Sequence, residues 1–284
     1  MDQKIIDLYD DYTHRPLDRR VFLDRLVKLA GSAAAAQAAL ILLESDYAKA
    51  ETVKEIDPRI ISGIIEINDG AIKGYTSYPK GMDPDATRQA VLVIHENRGL
   101  TPHIKDVARH MATEGFFTIA PDFLSAMGGT PDNEDQAREM FSKLKLDDAV
   151  EMARILIAGF KGRVAGMKVG TIGFCWGGGL VNAVACAVPE LDAGVAYYGI
   201  APAADKVAGI KAAMLMHYAG LDQRVNATMP GYEVALKAAG VRYQMQVYEG
   251  VNHAFNNDTS AERYNGDAAA LAWKRTVEFF RANL

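Results

Sequence analysis

Apolar residues in most of the chain recur in short runs that alternate with helical patterns. A strand is predicted at 59–67, followed by the turn Asn68-Asp69-Gly70 and a returning strand at 71–78. The continuous apolar run 90–94 is typical of a strand buried on both faces of a parallel sheet. Further strands are predicted at 116–120, 167–173, 193–197, 212–217 and 242–248, with helices at 103–113, 133–144, 147–160, 180–188, 228–239 and 267–284. This order predicts an α/β fold, a mostly parallel twisted sheet flanked by helices.

Residues 1–58 differ from the rest of the chain in their residue pattern. They are predicted to form an N-terminal helical extension ahead of a catalytic domain at 59–284. Their pattern predicts helices at about 17–30 and 32–48. We expect the apolar faces of these helices to pack on the main domain, or on a second copy of the chain in a homodimer.

The same segment has an alternative interpretation as an export signal. Arg19-Arg20, the apolar stretch 29–43 and Ala48-Lys49-Ala50 together resemble a twin-arginine signal with its cleavage site. Lys28 interrupts the start of the apolar stretch, and acidic residues lie close to both of its ends, which favours retained helices. The stretch is too short and too interrupted for a membrane span.

The composition excludes some classes of binding partner. The 284 residues are 49% hydrophobic and carry a net charge of −5, which argues against nucleic acid or an anionic membrane as the main partner. The two cysteines, Cys175 and Cys186, form neither a disulfide framework nor a zinc motif, and Cys186 is predicted to be a core residue. A single reactive cysteine favours a reducing, cytoplasmic location, with periplasmic export as the alternative.

The candidate nucleophile lies where the strand at 167–173 meets the next helix. Gly173-Phe174-Cys175-Trp176-Gly177 has small residues two positions before and after Cys175. A strand–turn–helix elbow requires this spacing, because the turn leaves no room for a Cβ at either position. The pattern is short and buried cysteines are common, so its meaning depends on partners elsewhere.

Two partners follow later strands. Asp222 lies after the strand at 212–217, and His253 lies after the strand at 242–248. The carboxyl ends of parallel strands meet at one edge of a sheet, so both side chains are expected beside Cys175. A thiol needs a base to remove its proton, and a carboxylate holds that base in one tautomer. Taken singly, Asp222 could be a solvated turn residue or a helix cap, and His253 a loop histidine.

The remaining histidines give weaker signals. His14 lies in the extension and receives no role, and His217 is expected to pack near the loop of the acid. His103 and His110 flank Asp106 on a predicted helix, but a metal site there is disfavoured.

The loop 95–100 follows the strand at 90–94 and is expected to lie beside the nucleophile. The backbone N–H groups of Asn97 and Trp176 would then face a developing oxyanion. Glu96 would be an acid beside the thiol, or alternatively a surface carboxylate paired with Arg98.

The chain resembles the dienelactone hydrolase (carboxymethylenebutenolidase) family over residues 60–284, as a long form with an N-terminal extension. The motifs that carry the resemblance are His95-Glu96-Asn97-Arg98-Gly99-Leu100, Pro121-Asp122, Gly173-Phe174-Cys175-Trp176-Gly177-Gly178, Tyr197-Tyr198-Gly199, Asp222 and Gly250-Val251-Asn252-His253-Ala254-Phe255. The resemblance implies an α/β-hydrolase fold and hydrolysis of a cyclic enol ester through an acyl-enzyme, with no metal or organic cofactor. It also implies Cys175 as nucleophile, His253 as base and Asp222 as its orienting acid. Glu96 would match the glutamate that holds the resting thiol and helps to generate the thiolate.

The family resemblance predicts the reaction better than it predicts the substrate. Family members proper hold the substrate carboxylate with two arginines, of which one corresponds to Arg138 across a gap. The other would follow the catalytic histidine, where this chain has Asn256-Asn257, and Arg98 is the available substitute. Tyr198 completes the predicted substrate-binding residues.

The prediction is therefore a cofactor-independent hydrolase of small carboxylic esters or lactones. One alternative is a general carboxylesterase without dienelactone preference. Another is a non-catalytic interaction protein that keeps the fold and uses the extension as its partner surface.

Overall fold

A computed structural model describes residues 1–15, 17–46 and 52–284. The helices are α1 Gln3–His14, α2 Arg19–Ala30, α3 Ala33–Leu43, α4 Pro102–Thr113, α5 Glu134–Lys143, α6 Leu146–Arg163, α7 Trp176–Ala187, α8 Gln223–Asn226, α9 Met229–Ala238 and α10 Gly266–Asn283. The strands are β1 Ile60–Ile67, β2 Ile72–Pro79, β3 Gln89–Ile94, β4 Phe117–Pro121, β5 Lys168–Phe174, β6 Ala193–Tyr197, β7 Ala213–Ala219 and β8 Tyr243–Tyr248. Each predicted strand is present within two residues of its expected ends.

The eight strands form one sheet in the order β1-β2-β4-β3-β5-β6-β7-β8. β1, β2 and β4 pair antiparallel, and every pairing from β4 through β8 is parallel. The turn between β1 and β2 has positive φ at Asn68 and Asp69, as the predicted hairpin requires. This confirms the predicted mostly parallel sheet with an antiparallel start.

Helices cover both faces of the sheet. On one face the core includes Leu156 of α6, Val181 of α7 and Leu236 of α9. On the other face it includes Ile104 of α4 and Phe280 of α10. Continuous apolar strands such as β3, whose side chains from Ala90 to Ile94 are fully buried, need cover on both sides.

The N-terminal extension contains three helices where the sequence predicted two. α1 was missed, although Ile5, Tyr9 and Tyr12 recur at helical spacing and are buried. These residues form a small core of their own with Phe22 of α2 and Leu43 of α3. α3 ends at Leu43, so the predicted end at 48 was too late, because Glu44 leaves helical geometry.

Two predictions for the extension stay predictions. Ala48-Lys49-Ala50, the possible cleavage site, lies outside the described residues. The second is the predicted homodimer: Ile41 and Leu42 of α3 are exposed apolar residues that a second copy of the chain would cover. Light scattering of the purified chain tests this pairing. No single helix among the described residues is long and apolar enough to cross a bilayer; α2 and α3 reach that length and composition only jointly, with a 110° bend between them.

Candidate active site

Cys175 lies at the apex of a sharp turn between β5 and α7. Its φ of 56° and ψ of −114° are a strained conformation for a residue with a Cβ. A Cβ on Gly173 would lie 2.2 Å from the carbonyl oxygen of Gly177, and one on Gly177 would lie 2.5 Å from that of His95. Both positions therefore need glycine, which is the elbow geometry that the sequence predicted.

Asp222 and His253 meet across the loops that follow β7 and β8. The Nδ1–H of His253 donates to Oδ2 of Asp222 at 2.5 Å, and both side chains are buried. The other oxygen of Asp222 accepts from the backbone N–H of Val225, so this residue also caps α8. Asp222 thus both caps α8 and contacts His253, and its role as the orienting acid stays a prediction.

The pair sets the charge of both groups. Burial alone would lower the pKa of His253, but the charge of the Asp222 carboxylate, its hydrogen bond to the ring and the neighbouring Cys175 side chain raise it to about 10. Burial conversely raises the pKa of Asp222, and the positive charge of His253 overcomes this and lowers it. His253 is therefore a strong base for a neighbouring thiol, held in one tautomer.

The hydrogen-bond partner of the Cys175 thiol is a residue that sequence reasoning missed. Nε2 of His14, at the end of α1, lies 3.0 Å from Sγ of Cys175. Nδ1 of His14 lies 2.7 Å from the carbonyl oxygen of Asp10, which can only accept, so the ring proton is on Nδ1. Nε2 then accepts the thiol proton. Burial and the nearby charge of His253 lower the pKa of His14 well below its usual value, which keeps it neutral.

Two hydrogen bonds, one at each end of α1, hold this helix over the site. The side chain of Asn97 donates to the carbonyl oxygen of Thr13 at 2.7 Å, beside His14. At the start of α1, Gln3 donates to Asn252, next to His253, at 2.6 Å. The only sequence signal for this arrangement is the helical spacing of the buried residues of α1, which predicts a docked helix but not where it docks.

The predicted substrate residues are placed in different surroundings. A groove of about 1280 Å³ leads to Cys175 and is lined by Asn97, Arg138, Trp176 and Tyr198 among others, with His14 on the side of α1. Arg98 lies outside the groove wall, buried with its guanidinium donating to the hydroxyl of Tyr9. The expected position of Arg98 at the substrate is therefore corrected.

The neighbours of the other predicted residues are also defined. Arg138 donates to the hydroxyl and the backbone carbonyl of Tyr12 and pairs with Asp135, so α1 holds it at the edge of the groove. The Glu96 carboxylate is buried and accepts from Asn257 at 2.8 Å, and Arg98 pairs with Glu134.

The histidines outside this cluster have structural partners. Nδ1 of His103 lies 3.1 Å from Asp258, and His110 stacks on Trp273 with ring centroids 4.0 Å apart. His217 is fully buried between Thr276 and the hydroxyl of Tyr248, close to the acid loop as expected.

The sheet order, the strained elbow and the buried acid–histidine pair after the following strands define an α/β-hydrolase. The dienelactone hydrolase family model matches residues 72–284, and a second model, described as YqhI-like, matches residues 1–29. The chain belongs to the dienelactone hydrolase family and is a hydrolase.

Known relatives cover most of the sheet domain. A "Putative carboxymethylenebutenolidase" of Methylorubrum extorquens is 33% identical over 78% of this chain and 81% of its own length. One of the same name from Aquifex aeolicus is 32% identical over 77% of this chain and 96% of its own length. A crystal structure of a "Putative Dienelactone Hydrolase" from Klebsiella pneumoniae superposes with a TM-score of 0.70 at 27% identity, covering 78% of this chain and 98% of that one.

Proposed function

We propose that the protein hydrolyses small carboxylic esters or lactones through a Cys175–His253–Asp222 triad and an acyl-enzyme. The observation that carries the proposal is the buried His253–Asp222 pair beside the strained cysteine, at the end of an open groove. The reactive atoms of Cys175 and His253 lie within 4.8 Å of each other, so rotation of the thiol brings them into contact.

The chemistry follows from these positions. His253 takes the proton of Cys175, and the thiolate attacks the carbonyl carbon of the ester. The backbone N–H groups of Trp176 and Asn97 stabilise the tetrahedral oxyanion. Collapse breaks the ester C–O bond, and His253 returns its proton to the leaving oxygen. Water, deprotonated by His253, then hydrolyses the thioester and restores the thiol.

His14 gives the resting site a feature of its own. Because its Nε2 accepts from the thiol, Cys175 must turn from His14 to His253 before it can attack. Glu96, buried at the same edge of the sheet, is the family position assigned to holding and then generating the thiolate. In this chain we assign the holding part to His14, while the Glu96 carboxylate accepts a hydrogen bond from Asn257.

The substrate class has two candidates. The relatives named carboxymethylenebutenolidase favour a lactone that carries a carboxylate, for which Arg138 is the arginine on the groove. A general carboxylesterase is favoured because both arginines already contact groups of the protein. Arg98 donates to Tyr9 in α1, and Arg138 donates to Tyr12 and pairs with Asp135. The buried Tyr198 hydroxyl, without a hydrogen-bond partner among the described residues, lines the groove and would bind either substrate.

A nucleophile variant tests the proposal. Cys175→Ala should abolish turnover of an activated aryl ester while leaving the melting temperature near that of the parent. Cys175→Ser should keep less activity than the parent, because a hydroxyl needs more help to ionise. Full activity of Cys175→Ala would refute the triad. Rapid labelling of Cys175 by a thiol reagent at neutral pH would count against a non-catalytic protein.

A substrate panel separates the two candidates. Lactones and aryl esters would each be offered with and without a carboxylate, using the parent and Arg138→Met. A preference for the carboxylate that the variant loses supports the lactone assignment. Equal rates for all four substrates support the general carboxylesterase.

We place the chain in the cytoplasm with its extension retained. Export with cleavage after residue 50 would remove His14 and the helices that cover the site. The mass of the chain purified from its native host tests this, since a mature chain beginning near residue 51 would show export.

A further inference from the structure

We propose that His14, Cys175 and His253 form a three-ligand site for a thiophilic divalent transition-metal ion of the zinc class. The groups come from three distant parts of the chain: α1, the elbow before α7 and the loop after β8. Their ligand atoms all lie within 4.8 Å of one another.

The distances are close to those of a metal site. Zinc binds histidine nitrogen at about 2.0–2.1 Å and thiolate sulfur at about 2.3 Å, so tetrahedral ligands are about 3.3–3.6 Å apart. Nε2 of His14 and Sγ of Cys175 are 3.0 Å apart, and no pair in the group exceeds 4.8 Å. Side-chain shifts on the order of 1 Å would convert this cluster into a coordination sphere.

Both imidazoles already have the partners that metal-bound histidines require. Nδ1 of His14 donates to the carbonyl oxygen of Asp10, and Nδ1 of His253 donates to the carboxylate of Asp222. Both Nδ1 atoms are committed to these acceptors, so each Nε2 is the ring atom that a metal ion would take after any proton on it is lost. Nε2 of His253 is buried and has no hydrogen-bond partner among the described residues, so one ligand atom in the cluster is unsatisfied.

The ligand types and their number also suit a zinc-class ion. One thiolate and two imidazoles suit zinc, and a set of three protein ligands leaves a fourth position for water or another molecule. The groove is lined by both Cys175 and His14, so such a molecule would reach the cluster from the groove. The carboxylates of Asp10 and Asp222 offset the positive charge of the ion, although Arg263 already pairs with Asp10.

Binding exchanges a proton for the metal without any redox step. The proton of the Cys175 thiol, which is donated to His14 in the resting site, passes to solvent, and the sulfur and both nitrogens form bonds to the ion. The sulfur lone pair is then committed to the metal. The ion should therefore inhibit ester hydrolysis reversibly, and this last consequence rests on the proposed function.

The test titrates the full-length, metal-free chain with Co²⁺ and follows its absorption. A thiolate-to-cobalt charge-transfer band with the intensity of a tetrahedral site is expected, and Zn²⁺ should displace it. Cys175→Ala should lose the band. His14→Gln should weaken metal affinity by more than about 100-fold, the upper end of the loss seen for a second-shell partner. His110→Ala, which removes a histidine outside the cluster, should bind like the parent.

Further variants keep the result interpretable. His14→Glu supplies an oxygen ligand of similar reach and should bind more tightly than His14→Gln, which a merely structural role of His14 would not produce. Circular dichroism checks that each variant is folded. Parent-like affinity of His14→Gln, or the lack of a charge-transfer band in the parent, would overturn the proposal. Because the band requires no turnover, it is measured independently of esterase activity, and an inactive parent that binds cobalt would refute only the proposed function.

Discussion

Gly177→Ala tests the contact between the elbow and the loop after β3. A Cβ at this position would lie 2.5 Å from the carbonyl oxygens of both Ile94 and His95. Ordinary van der Waals contact begins at 3.4 Å, so the two backbones must separate by about 0.9 Å. Overpacking of this kind costs about 2 kcal/mol, which lowers Tm by about 3 °C in a chain of this size.

The same separation of the two backbones should also lower the catalytic rate. Asn97 follows the displaced loop residues, and Trp176 precedes Gly177, so the two N–H groups proposed for the oxyanion would move apart. A misplacement near 1 Å costs about 100-fold in rate. We therefore expect kcat for an aryl ester to fall about 100-fold, measured at a temperature well below the Tm of either protein.

Gly159→Ala is the matched control. Gly159 lies on the exposed side of α6, and a Cβ there would have no neighbour within 4 Å. Alanine should stabilise the helix by about 0.5–1 kcal/mol and leave kcat unchanged. A parent-like Tm and kcat for Gly177→Ala would refute the close contact. A lowered Tm with parent-like kcat would refute the link to the oxyanion.

Three further changes probe the acid, a buried histidine and the extension. Asp222→Asn should lower kcat by about 10⁴-fold, because His253 loses its orienting carboxylate; a loss below 10-fold in steady-state assays would contradict the triad. Burial lowers the pKa of His217 to about 3. As the pH falls below 6.5, the unfolded chain therefore takes up a proton at this histidine that the folded chain does not. The free energy of unfolding should then fall by up to about 1.4 kcal/mol per pH unit. His217→Gln should reduce that slope in urea unfolding at pH 6.5 and 5, and an identical slope would show that His217 is not the cause. Arg98→Met removes the buried hydrogen bond to Tyr9 at about 1–3 kcal/mol, so limited proteolysis should cut the extension faster than in the parent; an unchanged rate would argue against this docking contact.

The sequence alone determined the sheet domain and its nucleophile. Period-2 and continuous apolar runs are local signals, so each strand was predicted within two residues of its ends. The glycines around Cys175 are also a local signal, because only a tight turn needs both. Asp222 and His253 could be found because parallel strands bring their carboxyl ends to one edge, a rule that converts chain order into proximity.

Only the tertiary structure decided how the extension meets the site. His14 and Cys175 are 161 positions apart, and the contact between them depends on where α1 docks rather than on any local pattern. The same docking turns Arg98 toward Tyr9 and away from the groove, although the resemblance made it the substitute for the missing second arginine of the family. Apolar periodicity specifies that a helix buries one face but not which surface receives it, because many surfaces offer similar apolar area. Hydrogen bonds between α1 and distant residues such as Asn97, which donates, and Asn252, which accepts, fix that choice, and they exist only once the chain has folded.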